Sequence, residues 1–293
     1  MSELHPLIRR LLAEAPAPTD GAWGTQLQAC GLTPGECPDA WNLSHPERVE
    51  QVARSYVEAG SRIILTNTFR ANRLALARHQ LSDRVAAINR AGVEISRRAA
   101  GARAFVFASI GPSGRMLMTG ETSEEELAEV FAEQARALAE GGADGLVVET
   151  MADLREALIA LGAAAATGLP VVVSMVFDSG RNKDRTMMGV TPEQAARELS
   201  QAGADAVGAN CGQGVAGYVE ICRRMHAAAD RPVWIKANAG LPELVDGAPV
   251  YRMTPEEYAS HVPALVEAGA SFLGGCCGTG PEFIRAIRRA LGK

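Results

Sequence analysis

Short apolar runs separated by helical patterns are the sequence feature that most constrains this fold. Each run is continuous rather than alternating, as expected for parallel strands that are buried on both faces. Clear runs occupy residues 62–66, 104–108, 145–149, 171–176, 205–210, 232–238 and 270–275, and a weaker one leads into Asp20-Gly21. The sequence therefore predicts eight parallel strands with helices between them.

Helical periodicity and capping signals fill the intervals between these runs. Within residues 46–60 the apolar positions follow the i, i+3, i+4, i+7 spacing that covers one face of a helix. Thr191 and Thr254 each offer a capping hydroxyl, followed by proline at the first helical position and by an N3 side chain that can reach back. Residues 123–126 form a further candidate capping box. These signals predict where helices begin.

A recurring glycine indicates a ring built from two-strand modules. It closes a helix just before the second, fourth, sixth and eighth strands, as Gly60, Gly142, Gly203 and Gly269. Glycine suits a left-handed helix terminus, and its recurrence at every second strand suggests four repeated modules. We therefore predict one α/β domain over residues 1–293, a (β/α)8 TIM barrel, in which residues 1–16 form a short helical lead-in. A doubly wound open sheet shows the same alternation and is the alternative.

The overall composition is that of a soluble globular protein. The chain of 293 residues is 47% hydrophobic and 22% charged, and its net charge of -5 argues against a general affinity for nucleic acid. No secretory signal is recognisable, and no apolar segment reaches membrane-spanning length. The six cysteines lack the spacing of a disulfide scaffold, so we expect free thiols in a reducing cytoplasm. The oligomeric state is not defined by these features.

Three of the cysteines follow predicted strands at the same end of the barrel. Cys211 comes directly after the sixth strand, and Cys276 and Cys277 end the eighth. The C-terminal strand ends form the active-site face of TIM barrels, so the three thiols should meet on one rim. Adjacent strand residues point to opposite faces, but the surrounding glycines permit a turn that brings both thiols together. The alternatives are that Cys276 and Cys277 are small core residues or form a vicinal disulfide.

Three thiolates with no obvious fourth protein ligand are typical of a catalytic zinc site. Such a site carries net negative charge, which makes it a poor Lewis acid for water but an electron-rich environment for a bound thiol. Zinc deprotonates a coordinated thiol, and the thiolate stays nucleophilic at neutral pH. We therefore expect Zn²⁺ as the cofactor and alkyl transfer to the sulfur of a thiol substrate.

Motifs in the strand-end loops point to a known family. They are residues 20–25, 66–69, 111–112, 149–150, 210–212, 238–242 and 274–279. In these segments, which span nearly the whole chain, the sequence resembles the homocysteine S-methyltransferase family, which includes betaine-homocysteine methyltransferase and the homocysteine domain of cobalamin-dependent methionine synthase. The resemblance implies that Cys211, Cys276 and Cys277 are catalytic zinc ligands and that homocysteine sulfur completes the tetrahedron. One departure is Ala237, where methionine-synthase-like relatives commonly have proline.

The resemblance also implies how the amino acid is bound. It assigns Asp20 and Glu149, at the ends of the first and fourth strands, to the substrate ammonium. The alternative for each acid is a helix cap or a structural ion pair. Thr68 and Phe69 follow the second strand, so we expect their loop to shape the pocket and supply backbone donors to the substrate carboxylate, although Phe69 also suits the core.

Two asparagines end neighbouring strands beside the predicted metal. Asn210 ends the sixth strand and Asn238 the seventh. An amide at either position can orient the metal ligands or simply cap a turn.

The methyl donor is the least defined part of the prediction. Betaine, S-methylmethionine and dimethylsulfoniopropionate are onium compounds that an aromatic cage can hold. The candidate rings are Trp23, Trp41, Phe69, Phe177 and Tyr251, and the alternative for each is ordinary packing. A separate corrinoid protein is the other candidate donor, because the chain ends at Lys293 without a cobalamin-binding module. The small donor is favoured because the chain looks self-contained.

Two other functions are open at this point. Residues 277–281, just before a helix, fit a phosphate-binding helix N-terminus, as in a phosphosugar lyase or isomerase barrel. A non-enzymatic zinc or thiol sensor would use the same thiols but predicts a closed metal site. The sequence favours an enzyme that methylates homocysteine to methionine, with two small-molecule substrates and no nucleic-acid or membrane partner.

Overall fold

Eight parallel strands form one sheet in the computed structural model, which describes residues 3–245 and 248–293. Together with the two strands of a separate hairpin, these strands are β1 (Ala17–Pro18), β2 (Ile63–Ile64), β3 (Phe105–Ile110), β4 (Gly145–Met151), β5 (Val171–Met175), β6 (Ala206–Gly214), β7 (Val233–Asn238), β8 (Glu243–Val245), β9 (Ala248–Val250) and β10 (Ala270–Gly275). The sheet order is β1-β10-β7-β6-β5-β4-β3-β2, and β8 and β9 form a separate antiparallel hairpin. All eight apolar runs are therefore strands, as predicted.

The two ends of the sheet meet and close it into a barrel. The backbone N–H of Arg62, just before β2, donates to the carbonyl of Pro18 in β1 over 2.7 Å. The hydroxyl of Ser61 donates to the carbonyl of Thr19 over 3.1 Å. These bonds join the first strand to the second, so the (β/α)8 barrel is confirmed and the open-sheet alternative is wrong.

Helices surround the barrel in the alternation that the sequence predicts. They are α1 (Pro6–Leu12), α2 (Trp23–Ala29), α3 (Trp41–Ser44), α4 (Pro46–Ala59), α5 (Arg73–Leu76), α6 (Val85–Ala100), α7 (Glu124–Glu140), α8 (Leu154–Ala165), α9 (Pro192–Gln201), α10 (Val215–Ala228), α11 (Pro255–Ser260), α12 (Val262–Glu267) and α13 (Pro281–Ala290). Short 3-10 helices occupy residues 77–79, 82–84 and 117–119. No helix in the described part of the chain is long and apolar enough to cross a membrane.

The predicted helix starts are correct, but only one capping box is complete. Thr254 caps α11 and receives the reciprocal bond from Glu257. Ser123 and Thr191 cap α7 and α9 through their hydroxyls alone. In α7 the Glu126 carboxylate accepts a 2.8 Å hydrogen bond from the Thr122 hydroxyl. This hydroxyl takes the place of the Ser123 backbone N–H, which would donate to Glu126 in a complete capping box.

The recurring glycines adopt the left-handed conformation that was predicted for them. The φ angles of Gly60, Gly142, Gly203 and Gly269 are 97°, 88°, 99° and 99°. A side chain is disfavoured at such angles, which explains why the same residue type recurs where these chain segments turn toward the next strand.

Two apolar layers support the barrel, one outside the strands and one inside. The outer layer packs the helices on the sheet. The inner layer joins Trp234, Phe107 and Phe272 to Ile8 and Leu11 of α1, which lies across the N-terminal end of the barrel. Residues 1 and 2 of the predicted lead-in lie outside the described residues. With the N-terminal end filled, the C-terminal end is where a site can form.

Candidate active site

Three thiols from two strand ends meet at the C-terminal rim. The sulfur atoms of Cys211, Cys276 and Cys277 all lie within 4.8 Å of one another, and the Cys211 and Cys277 sulfurs are 3.9 Å apart. Cys211 follows the regular part of β6 and the other two follow β10, while β7 lies between these strands. The sequence-predicted convergence of the three residues is therefore what the fold produces.

The backbone leaves strand geometry to present Cys211. Its φ angle is 64° and that of Gly212 is 67°, and the register of β6 against β7 shifts between Asn210 and Gly214. A left-handed conformation is unfavourable for a cysteine, and such strain is concentrated at functional sites. The Tyr218 hydroxyl stabilises the turn by donating a 2.5 Å hydrogen bond to the Cys211 carbonyl.

The donor set fits a thiophilic metal such as zinc. A tetrahedral ion with zinc–sulfur bonds of about 2.3 Å holds its sulfurs about 3.8 Å apart, which agrees with the 3.9 Å separation of Cys211 and Cys277. Hydrogen bonds from the other two thiols lower the pKa of Cys211 and raise the pKa of Cys276. The three thiols therefore form one hydrogen-bonded cluster in which a negative charge is stabilised.

Asn210 connects the thiol cluster to the end of β4. Its side-chain oxygen accepts hydrogen bonds from the Thr150 N–H over 2.9 Å and from the Ser174 hydroxyl over 2.7 Å. Its amide nitrogen donates to the Thr150 hydroxyl over 2.6 Å and lies 3.9 Å from the Cys276 sulfur. Thr150 is itself left-handed, with a φ angle of 62°. Asn210 therefore stabilises one strained residue and contacts a thiol at the same time.

Asn238 acts on the thiols through the backbone. Its side-chain oxygen accepts a 3.0 Å hydrogen bond from the N–H of Cys277. The N–H of Ala239 donates to the Cys277 carbonyl over 2.9 Å, so both backbone groups of this cysteine are bound by the end of β7. Asn238 therefore caps the turn that carries Cys277, and its role in orienting a metal ligand stays a prediction.

The two predicted acidic residues lie at the rim in different surroundings. Asp20 is fully buried and forms an ion pair with Lys236, and it also accepts a 2.8 Å bond from the Trp23 indole N–H. Glu149 accepts a 2.5 Å bond from the Ser109 hydroxyl. Burial raises the pKa of Glu149, while the nearby Lys236 and the Ser109 bond oppose that rise.

Lys236 was not predicted as a site residue, although the sequence contains a signal for it. It is the one charged residue in the apolar strand β7, and it is 2% exposed. Burial disfavours its charge, but the carboxylates of Asp20 and Glu149 outweigh that effect and raise the pKa of the lysine.

The loop after β2 presents unpaired backbone N–H groups. The carbonyls of Thr68 and Phe69 accept bonds from the Gln134 amide over 2.8 Å and from the Gly111 N–H over 2.9 Å. Neither the N–H of Thr68 nor that of Phe69 donates a hydrogen bond to any described residue. An unpaired backbone donor in buried surroundings is rare without a ligand, and Thr68 is fully buried.

Buried polar side chains that sequence reasoning missed hold this loop in place. Asn42 donates to the Asn67 carbonyl, Asn89 donates to the Ala71 carbonyl, and Asp39 accepts from the Arg70 N–H. Their contacts join residues far apart in the chain, so no local pattern identifies them.

The aromatic residues proposed for a donor cage are not all available. Trp41 and Phe177 are buried in the core, which is a correction to the prediction. Trp23, Phe69 and Tyr251 are half-buried, and Tyr251 packs so closely against Gly278 that an added Cβ would lie 2.2 Å from its ring.

The predicted phosphate-binding terminus does not suit an anion. A Cβ added at Gly280, the N-cap of α13, would lie 2.4 Å from a carboxylate oxygen of Glu282. A carboxylate already covers that helix end and would repel a phosphate. The phosphosugar interpretation therefore lacks its binding site.

The fold and the thiol cluster together define a (β/α)8 barrel with a candidate thiolate metal centre on its catalytic face. Residues 19–291 match the family model described as homocysteine S-methyltransferase. The chain belongs to the homocysteine S-methyltransferase family, which is a family of methyltransferases.

Curated relatives extend this comparison. Methionine synthase from Mycobacterium tuberculosis is 32% identical over 291 residues, which cover 93% of this chain and 24% of that protein. Methionine synthase from Mycobacterium leprae is 31% identical over 293 residues, again covering 24% of the relative. The chain thus spans about a quarter of the length of these proteins.

Solved structures share the fold. The homocysteine methyltransferase MmuM from Escherichia coli in its oxidised form superposes with a TM-score of 0.82 at 22% identity, covering 97% of this chain and 99% of that one. The metallated form gives a TM-score of 0.81 at 23% identity, covering 96% and 99%. At this identity the likeness is one of fold.

Proposed function

We propose that this protein transfers a methyl group to the sulfur of homocysteine and so forms methionine. The observation that carries the proposal is the arrangement of the rim, where a three-thiol cluster lies with a buried carboxylate and unpaired backbone N–H groups on the same barrel face. A thiol-binding site that lies beside groups able to bind an ammonium and a carboxylate suits an amino acid with a thiol side chain.

Cys211, Cys276 and Cys277 are the residues that would hold a zinc ion. Zinc bound there would supply the positive charge that favours a thiolate over a thiol at neutral pH. Asn210 and Asn238 keep the three sulfurs together, the first by contact with Cys276 and the second through the Cys277 backbone. The chain thus provides a preformed soft-donor set rather than one assembled on binding.

The amino-acid end of homocysteine would be bound by two separate groups. The Glu149 carboxylate is placed to accept hydrogen bonds from the ammonium. The N–H groups of Thr68 and Phe69 are free to donate to the carboxylate. Together they would orient the substrate sulfur toward the thiol cluster.

The reaction is a displacement at a methyl carbon. Homocysteine loses its thiol proton to solvent, and the thiolate sulfur attacks the methyl carbon of the donor. The new carbon–sulfur bond forms as the bond between methyl and donor breaks, and the electron pair of that bond leaves with the donor. The onium nitrogen or sulfur of such a donor becomes neutral in this step, and a methylcorrinoid is left as the reduced corrinoid.

A protein-borne donor has one observation in its favour. Large apolar side chains are exposed on the loops after β3, β5 and β7, which surround the barrel mouth. They are Met116, Met118, Met187, Met188, Leu241 and Leu244, with exposed fractions from 38% to 80%. Exposed apolar surface of this kind marks interaction sites. A small onium donor would instead rely on the half-buried Trp23, Phe69 and Tyr251.

The test is zinc content together with methyl transfer. We expect one zinc per chain, and X-ray absorption should show three sulfur neighbours and a fourth when homocysteine is added. Cys277→Ala should lose both metal and transfer, whereas Cys30→Ala, which changes a thiol outside the cluster, should keep both. Transfer by metal-free Cys277→Ala protein would refute the proposal. A screen with betaine, S-methylmethionine, dimethylsulfoniopropionate and methylcobalamin identifies the donor.

A further inference from the structure

Tyr251 lies over the turn that carries Cys277. It directly follows β9, so it comes from the β8–β9 hairpin rather than from a strand of the barrel. A Cβ added at Gly278 would lie 2.2 Å from Cγ of the Tyr251 ring, and the φ angle of Gly278 is 80°. Glycine at this position therefore lets the ring lie directly on the residue that follows Cys277.

The hydroxyl of Tyr251 interacts with the Cys277 sulfur. Burial, the charge of Cys277 and a hydrogen bond with that thiol raise the pKa of Tyr251, in that order of size. A phenol keeps its proton at neutral pH and a thiolate has none to give, so the hydroxyl is the donor once Cys277 is ionised. Both residues are half-buried, so this bond lies where small molecules reach the cluster from the barrel mouth.

A methyl donor at this rim meets more than one nucleophile. The thiolate is the nucleophilic form of cysteine, and the three cysteines would be thiolates when they hold zinc. If the Cys277 sulfur attacked the methyl carbon, a carbon–sulfur bond would form, and the electron pair of the bond between methyl and donor would leave with the donor. The product is a neutral thioether, which lacks the charge that holds zinc.

A hydrogen bond to the thiolate opposes this side reaction. The bond stabilises the anion and weakens as the sulfur becomes neutral, so it raises the barrier to methylation of that sulfur. Cys276 has a neighbouring donor as well, because the Asn210 amide nitrogen lies 3.9 Å from its sulfur. For Cys277 the donor is the hydroxyl of Tyr251.

We propose that Tyr251 directs the methyl group to the substrate by donating a hydrogen bond to the Cys277 sulfur, which protects this metal ligand from methylation. The proposal rests on the proposed function, in which the three cysteines hold zinc and homocysteine is the acceptor. Tyr251 is a positioning residue, since it acts through Cys277. Its loss should change where a methyl group is placed, and not merely how fast methionine forms.

The test measures methylation of the protein itself. Zinc-loaded protein is incubated with methyl iodide without homocysteine, and tandem mass spectrometry of peptides follows the methyl group on Cys277. In Tyr251→Phe, which keeps the ring and removes the hydroxyl, methylation of Cys277 should be about tenfold faster than in wild type, because a hydrogen bond to a charged group is lost. The matched control is Tyr258→Phe, whose lost hydroxyl donates to the Gly274 carbonyl over 2.7 Å and not to a sulfur; it should methylate at the wild-type rate.

A second variant separates the hydroxyl from the ring. Tyr251→Leu removes both and should be methylated at Cys277 at least as fast as Tyr251→Phe. If Tyr251→Leu is methylated faster than wild type but Tyr251→Phe is not, the ring only excludes the reagent and the role of the hydroxyl is overturned. Equal rates in all three proteins overturn it too, while leaving zinc binding and transfer to homocysteine intact.

Failure of the proposed function has a different signature. Wild-type protein that binds no zinc, or that does not methylate homocysteine, would overturn that function and this inference with it. Zinc content and circular dichroism, measured before methyl iodide is added, establish that each variant is intact.

Discussion

Replacing Asn210 by leucine should lower both the free energy of unfolding and the affinity for zinc, and a control variant distinguishes the two effects. The asparagine is completely buried, and its amide bonds to the Thr150 N–H, the Thr150 hydroxyl and the Ser174 hydroxyl. Leucine has a similar volume but cannot bond, so these partners lose their hydrogen bonds in a buried setting.

The magnitude follows from what is left unpaired. A buried polar group without a partner costs about 1–3 kcal/mol, and the Thr150 N–H and the Ser174 hydroxyl are two such groups, so the free energy of unfolding should fall by about 2–6 kcal/mol. Thr150 is also free to leave its left-handed conformation, which moves the end of β4. Loss of groups that orient metal ligands typically costs about tenfold to a hundredfold in metal affinity, and we expect that loss here because Asn210 contacts Cys276.

Two measurements check this prediction. Urea denaturation gives the change in stability, and competition with a zinc chelator gives the metal affinity. Ser174→Ala is the control, because it removes one bond to Asn210 and leaves the contact with Cys276. It should lower stability slightly and keep metal affinity within about threefold of wild type. An Asn210→Leu protein that is destabilised but binds zinc as tightly as wild type would refute the orienting role.

Two further predictions concern stability. Burial raises the pKa of Asp39 from 3.8 to about 6, so about 3 kcal/mol of the free energy of unfolding is present at low pH and should be lost as the pH rises through that range. Asp39→Asn keeps an acceptor for the Arg70 N–H and should abolish this pH dependence in urea titrations. A wild-type protein whose stability does not change over this range would contradict the assignment. Gly274→Ala should lower the free energy of unfolding by about 3 kcal/mol, because the added Cβ would lie 2.5 Å from the Asp20 carbonyl. The control is Gly24→Ala, which has no atom within 4 Å of the added carbon and should be neutral or slightly stabilising in the same urea titration.

The architecture was predictable because its signals are local. A continuous apolar run indicates a strand buried on both faces wherever it occurs, and Thr254 with Pro255 marks a helix start without reference to the rest of the chain. The left-handed Gly60 and Gly203 likewise follow from the restriction that a side chain imposes at such angles. Errors arose where a side chain had a second partner, as with Glu126, which bonds to Thr122 rather than back to its cap.

Part of the site was predictable for the same reason. Cys211, Cys276 and Cys277 each end a strand, and in a parallel barrel all strand ends of one polarity lie on one rim, so the sequence implied that these thiols lie near one another. The aromatic prediction was wrong for Trp41 and Phe177, because strand-end position does not determine which way a ring turns, and both rings lie in the core.

By itself, then, the sequence determined the barrel and the rim on which three thiols gather, since apolar periodicity, caps and strand-end position are read along the chain. Only the tertiary structure decided that Lys236 pairs with Asp20, a residue 216 positions away, and that Asn210 holds Thr150 in a strained turn. These contacts depend on which residues lie close together across the closed barrel. A buried charge or hydrogen-bond donor without a partner is costly, so each such group lies next to a group that pairs with it.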